Sequence, residues 1–105
     1  MKNAKKKTMN LLKETISVIT KHNHSESDVL WCGLDGKYFS WDQFEKISDV
    51  EYDNSFGTNE IPLDLLVVGK NWWLERHEYD GSEWWEHKTL PIRPKESFFP
   101  EKIIN

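Results

Sequence analysis

Residues 72–86 read WWLERHEYDGSEWWE, and this stretch decides the fold. Its centre, Asp80–Gly81, is a strong hairpin signal because Asp and Gly tolerate the positive φ that a tight two-residue turn requires. The segments on either side are rich in aromatic residues, which is typical of β-strands. The sequence therefore predicts an antiparallel hairpin with strands at 72–78 and 84–90.

Each predicted strand begins with a tryptophan doublet, Trp72–Trp73 in the first and Trp84–Trp85 in the second. Neighbouring side chains of a strand point to opposite faces of the sheet. One indole of each doublet must therefore lie on each face. Either the rest of the chain covers both apolar faces, or one face stays open as a binding surface.

Two registers of this hairpin remain open. A two-residue turn places Glu75 opposite Glu86, which is repulsive. A three-residue turn at 80–82 places Arg76 opposite Glu86 and Glu75 opposite His87, and both of these pairs are attractive. On these electrostatic grounds we favour the three-residue turn.

Further strand signals lie upstream of the hairpin. Asp35–Gly36 predicts a second tight turn between strands at 29–34 and 37–40. The apolar run 63–68 suits a sheet interior, and its short connection to residue 72 predicts a three-stranded antiparallel meander. We expect an antiparallel sheet of about five strands, and residues 50–52 are a candidate for a short edge strand.

Two segments have helical patterns, so the predicted fold class is α+β. The apolar residues of the first follow 3–4–3 spacing: Met9, Leu12, Ile16 and Ile19. This predicts a long amphipathic helix over residues 8–22, capped by Thr8 and packed on one face of the sheet. Ser40-x-x-Gln43 resembles a capping box that opens a short second helix at 41–48.

The length of 105 residues fits one domain. We expect residues 1–7 to form a flexible basic arm, residues 8–94 to form a single α+β domain, and residues 95–105 to form an apolar C-terminal tail. The tail carries two phenylalanines and two isoleucines, so it either docks on the domain or meets a partner.

The net charge of −4 combines a basic start with an acidic body. Residues 1–24 carry a net charge of +5 and residues 25–105 carry −9. Nucleic-acid modules spread basic residues over a folded face, so this distribution argues against a nucleic-acid partner. The absence of a signal-peptide pattern and of a spanning apolar run predicts a cytoplasmic protein without membrane attachment.

The hairpin residues quoted above, followed by Leu90–Pro91, resemble a hairpin of small uncharacterised proteins. Those proteins are encoded by phages and prophages of low-GC Gram-positive bacteria. The resemblance covers about residues 64–94 and implies a protein of the bacterial host cytoplasm. It implies no activity and no catalytic residue.

We predict a small non-enzymatic accessory or inhibitory protein of a phage or prophage, which binds a protein partner through the aromatic hairpin. Aromatic side chains gain contact area at a low cost in entropy. The candidate binding residues are Trp73, Trp84, Trp85, Glu75, His77, Glu86 and His87. A homodimer formed through the same surface is an alternative.

Other functions use the same residues. The carboxylates and histidines of the hairpin could serve an acid–base or metal-dependent enzyme module, and exposed tryptophans could bind carbohydrate. His22-x-His24 and Cys32 add potential ligands, but their spacing matches no zinc motif, and we assign no metal, cofactor or catalytic residue. The acidic residues of 49–64 could imitate a phosphate backbone, although such runs are usually solvated surface.

Overall fold

The computed structural model describes residues 8–55 and 57–105. It has an α+β fold with a five-stranded antiparallel sheet and two helices, as the sequence predicts. The predicted basic arm at 1–7 lies outside the described residues.

The described elements follow the chain in a simple order. They are β1 (Thr8–Asn10), α1 (Leu11–Lys21), a 3₁₀ turn (Glu26–Asp28), β2 (Val29–Leu34), β3 (Lys37–Phe39), α2 (Trp41–Ser48), β4 (Glu51–Asp53), β5 (Leu66–Gly69), β6 (Trp72–Tyr79) and β7 (Ser82–Thr89). The main sheet has the order β3-β2-β5-β6-β7, whereas β1 pairs with β4 in a separate two-stranded ribbon. The predicted meander is therefore confirmed, with β6 between β5 and β7.

The first helix starts later than predicted. Residues 8–10 form β1, in which Met9 lies opposite Tyr52 of β4. Asn10 then caps α1, because its side chain accepts a hydrogen bond from the backbone N–H of Lys13 at 3.0 Å. The prediction of Thr8 as the cap is wrong, since pairing with β4 holds that residue in a strand.

Other local predictions are confirmed. Ser40 and Gln43 form a reciprocal capping box at the start of α2. Asp35 and Gly36 have φ values of +55° and +72°, the left-handed conformation that a tight hairpin turn requires. At the end of α1, Asn23 also has a positive φ of 63°.

The last hairpin has the two-residue turn. Asp80 and Gly81 have φ values of +50° and +85°, and Tyr79 lies opposite Ser82. Glu75 therefore lies opposite Glu86. The prediction of a three-residue turn is wrong, because neighbouring side chains on the same face offset the repulsion between these carboxylates.

Both helices pack on one side of the sheet, which we call the inner face. The buried hydrophobic core there includes Leu11, Ile19, Cys32, Phe44, Tyr52, Val67, Trp72, Leu74 and Trp85. Trp72 and Trp85 are the inward members of the two doublets, with exposed fractions of 5% and 6%. One indole from each doublet thus lies inside, as strand alternation requires.

A buried arginine also points to the inner face. The Arg76 guanidinium donates to the Tyr52 hydroxyl at 2.9 Å, and lies 3.3 Å from Glu83 Oε1 and 3.4 Å from Glu14 Oε2. It lies 4.9 Å from the ring centroid of Trp85, within reach of a cation–π contact. These contacts connect α1, β4, β6 and β7 through one positive charge.

Glu83 extends this network into the loop before β5. Its carboxylate accepts the backbone N–H groups of Glu60 at 2.6 Å and Ile61 at 3.0 Å. Charge-assisted hydrogen bonds of this kind are stronger than neutral ones. The carboxylate therefore anchors a segment that has no helix or strand of its own.

The C-terminal tail does not dock on the part of the domain that the structure describes. Residues 91–105 form neither helix nor strand, and Phe98 and Phe99 are 85% and 93% exposed. The molecule measures 65 × 36 × 27 Å along its principal axes. The tail thus leaves its apolar side chains in solvent.

Candidate binding site on the outer sheet face

The opposite side of the sheet, which we call the outer face, brings most of the predicted binding residues together. Outward-pointing side chains of β6 and β7 form a cluster, the outer patch, which consists of Trp73, Glu75, His77, Trp84, Glu86 and Lys88. All six side chains are partly exposed. The alternation of strand side chains places them on one surface.

Each indole of the outer patch is held by a carboxylate on its own strand. Trp73 Nε1 donates to Glu75 Oε1 at 2.7 Å, and Trp84 Nε1 donates to Glu86 Oε2 at 3.1 Å. Residues two apart in a strand share a face, so these bonds form without bending the backbone. The two rings are therefore oriented while they remain partly exposed.

His77 contacts both of the facing carboxylates, and Lys88 contacts one of them. His77 Nε2 lies 2.6 Å from Glu75 Oε2 and 3.4 Å from Glu86 Oε1, and Lys88 Nζ lies 3.1 Å from Glu86 Oε1. The indole hydrogen bond from Trp73, followed by the contact with His77, lowers the pKa of Glu75. Hydrogen bonds from Trp84 and then Lys88 likewise lower the pKa of Glu86.

This arrangement suits binding better than acid–base chemistry. A pair of carboxylates acts as general acid and base when their environments push the two pKa values apart. Here both pKa values move down, so both groups are carboxylate anions at neutral pH. Two anions beside two oriented indoles can accept a cationic side chain through ion pairing and cation–π contact.

Trp85 does not belong to this surface. Its Nε1 donates to Thr15 Oγ1 at 2.9 Å, and its ring is buried beneath α1. The prediction of Trp85 as an anchor for a partner is wrong, because it is the inward member of its doublet. Its partner in the doublet, Trp84, takes the outward position.

His87 also lies on the inner side, in a cluster with two other histidines. Its ring stacks on His22 with centroids 4.0 Å apart, and its Nε2 lies 3.0 Å from His24 Nε2. The ring of His24 in turn stacks on Trp72 at 4.0 Å. His87 is therefore separated from Glu75 and His77 by the sheet, and the prediction that these groups form one site is wrong.

The histidine pair is arranged for a hydrogen bond. The ring centroids of His24 and His87 are 5.1 Å apart, which means that the two Nε2 atoms point at each other nearly head-on. One proton can be shared between them. Burial, and then the nearby charges of His22 and His24, lower the pKa of His87.

The sequence also named potential metal ligands and a single cysteine. Within residues 8–55 and 57–105, no group of three or more His, Cys, Asp or Glu side chains is arranged to hold a metal ion. Cys32 is buried in the sheet, and burial raises the pKa of its thiol to about 12.

A second feature of the outer face was not predicted. An apolar groove of about 790 Å³ lies towards β3 and is lined by Leu30, Trp31, Tyr38 and Leu66, among others. Its floor includes Gly33, where a Cβ atom would lie 3.0 Å from the Trp31 ring. Period-two alternation in 29–34 and 37–40 was the available signal, since it places Trp31 and Tyr38 on the same face.

Comparison of the chain with protein-family models, with curated proteins and with solved structures finds no match. In the part of the chain that the structure describes, neither helix has the length and apolar character needed to cross a bilayer.

Proposed function

We propose that this chain is a small non-enzymatic binding protein whose outer patch docks on a protein partner. In the phage or prophage setting that the hairpin resemblance implies, it acts as an accessory or inhibitory protein in the cytoplasm of the bacterial host. The observation that carries the proposal is the pair of oriented, partly exposed indoles at Trp73 and Trp84.

Orientation of the indoles before binding supports this role. Association costs about 0.5–1.5 kcal/mol for each side chain that it immobilises. Hydrogen bonds to Glu75 and Glu86 already restrict the two rings, so less of that cost remains at the moment of binding. Tryptophan is also enriched among the residues that dominate interface energies.

The charge of the patch supports a partner that presents arginine or lysine. Glu75 and Glu86 are anions, and residues 25–105 carry a net charge of −9. An acidic surface attracts a basic partner and speeds the encounter at low salt. An arginine is the best fit because its planar guanidinium can stack on an indole while it pairs with a carboxylate.

The test begins with capture from bacterial lysate, identification of the bound protein and titration of that purified protein. The double variant Trp73→Ala/Trp84→Ala should weaken binding at least about tenfold, since each indole is expected to act as a hot spot. Ile47→Ala is the matched control, because Ile47 is an exposed apolar residue of α2, on the other side of the sheet from the outer patch. Equal affinity of the double variant and the control would refute the proposal, provided that circular dichroism shows both folded.

The carboxylates allow a second, independent test on the same partner. Glu75→Gln/Glu86→Gln should slow association and flatten its dependence on salt concentration, because the charge that attracts the partner is removed. A matched control is Asp42→Asn, which removes an exposed carboxylate at the start of α2. If both variants associate at the wild-type rate, the partner does not recognise this charge.

Carbohydrate binding is the second candidate, since two partly exposed indoles also suit the apolar faces of sugar rings. Tryptophan fluorescence should then be quenched by a member of a sugar panel, and the quenching should disappear in Trp73→Ala/Trp84→Ala. Saturable quenching together with failure of protein capture would favour this function over the first.

A further inference from the structure

The tail and the outer-face groove are two apolar surfaces of one chain that the described residues leave uncovered. The apolar side chains of the tail are all more than four-fifths exposed: Phe98, Phe99, Ile103 and Ile104. On the groove, Leu30 is 64% exposed and Tyr38 is 80% exposed. Contiguous exposed apolar surface often marks a site of interaction with a partner.

We propose that the groove binds the Phe98–Phe99 segment of a second copy of this chain. Exchange of the two tails in both directions produces a twofold symmetric dimer, in which each copy contributes one tail and one groove. The groove borders the outer patch, because Leu66 of its lining lies opposite Glu75 in the sheet, but its lining includes none of the six patch residues.

A second copy fits this groove better than the chain's own tail. The tail leaves the sheet from the end of β7, whereas the groove lies beside β3 at the opposite edge. Pro91 and Pro94 restrict the first residues of the tail to extended conformations, which disfavours a sharp return across the sheet. In the structure the tail makes no such return, and Phe98 and Phe99 remain exposed.

The area available is sufficient for a dimer. Each phenylalanine buries roughly 150–250 Å² when it enters an apolar site. Two exchanged pairs, together with the groove surface that they cover, bury roughly 1,200–2,000 Å², which is the size of a standard specific interface. The rim residues Lys37 and Asp64 also offer one charge of each sign to Lys95 and Glu96 beside the aromatic pair.

The oligomeric state tests this proposal directly. The molar mass from light scattering, measured across a range of concentrations, should rise from the monomer value of 12.5 kDa to twice that value. Phe98→Ser/Phe99→Ser on the tail and Leu30→Asp/Tyr38→Asp on the groove should each abolish the increase. Ile47→Ser is the control, because it removes a comparably exposed apolar residue from α2 and should leave the dimer intact.

Mixing the variants separates exchange from other modes of association. The tail variant retains its groove, and the groove variant retains its tail. The two together should form a mixed dimer of one tail and one groove, weaker than wild type, although neither associates alone. A chain that stays monomeric at every concentration overturns the proposal, and so does a dimer that survives both double variants.

Discussion

The two faces of the β6–β7 hairpin carry similar residues that have different roles. On the inner face, Arg76 and Glu83 have side chains that are at most 1% exposed and bind each other as well as the loop before β5. On the outer face, Glu75 and His77 are the sequence neighbours of Arg76. About a third of each of these two side chains nevertheless remains exposed to water. Ion pairs on the inner face therefore hold the fold together, whereas those on the outer face remain accessible to a partner.

The tryptophan doublets show the same division within single dipeptides. Trp85 is buried with its N–H bonded to Thr15 of α1, while Trp84 is partly exposed with its N–H bonded to Glu86. Because side chains alternate between the two faces of a strand, one ring of the doublet packs in the core and the other lies on the surface. Comparison of variants on the two faces should therefore separate effects on stability from effects on binding.

Among the charged residues, the largest effect is expected at Arg76. Replacement by Leu leaves Glu14 and Glu83 as poorly compensated charges in the interior, so the free energy of unfolding should fall by about 3–5 kcal/mol. Lys88→Leu removes a cation from the outer face and should change stability by less than about 1 kcal/mol. Urea denaturation measures both, and equal losses would contradict the division between the faces.

A smaller effect is expected from pH through the histidine cluster. Because the pKa of His87 is lowered from its ordinary value of 6.5, the folded protein holds this proton less tightly than the unfolded chain does. The stabilisation is complete above about pH 6.5 and is lost as the pH falls towards the lower pKa of the folded form. The midpoint of thermal unfolding should therefore decrease between about pH 8 and pH 5.5.

Two variants sharpen this test. His87→Gln should make the decrease in the midpoint smaller, because the variant lacks the imidazole whose pKa is lowered by folding. His77→Gln on the outer face should leave the contribution of His87 in place. A decrease of the same size in wild type and His87→Gln would show that other groups cause it.

The smallest effect on stability is expected at Glu75. Glu75→Gln removes the repulsion with Glu86 as well as the attraction to His77, so the midpoint of thermal unfolding at neutral pH should fall only slightly. The lowered pKa of Glu75 means that the folded form favours the carboxylate, so its contribution is present at neutral pH and lost under acidic conditions. A large decrease of the unfolding midpoint at neutral pH would show instead that Glu75 is needed for the stability of the fold.

Local sequence signals were sufficient for much of the fold. The Asp35–Gly36 and Asp80–Gly81 turns and the Ser40–Gln43 capping box depend on residues within a few positions of one another. Alternation in the doublets also predicted that one indole of each would lie on either face. These features follow from the backbone requirements of a turn, a cap or a strand.

Long-range contacts account for what the sequence did not reveal. Arg76 and Glu14 are 62 residues apart, and His24 and His87 are 63 apart. Neither pair has a local signature. The start of α1 was misplaced for the same reason, because pairing of residues 8–10 with β4 depends on residues about forty positions away. The predicted register of the last hairpin was wrong because cross-strand charges alone do not determine it: Trp73, Trp84 and Lys88 stabilise the facing carboxylates.

The most direct test compares Trp84→Ala with Trp85→Ala, two neighbouring residues on opposite faces. Trp85→Ala should lower the free energy of unfolding by about 3–5 kcal/mol, because it opens a cavity beneath α1. Trp84→Ala should cost about 1 kcal/mol and leave a folded protein with weakened partner binding. Equal destabilisation by the two substitutions, or undiminished binding by folded Trp84→Ala, would contradict the account.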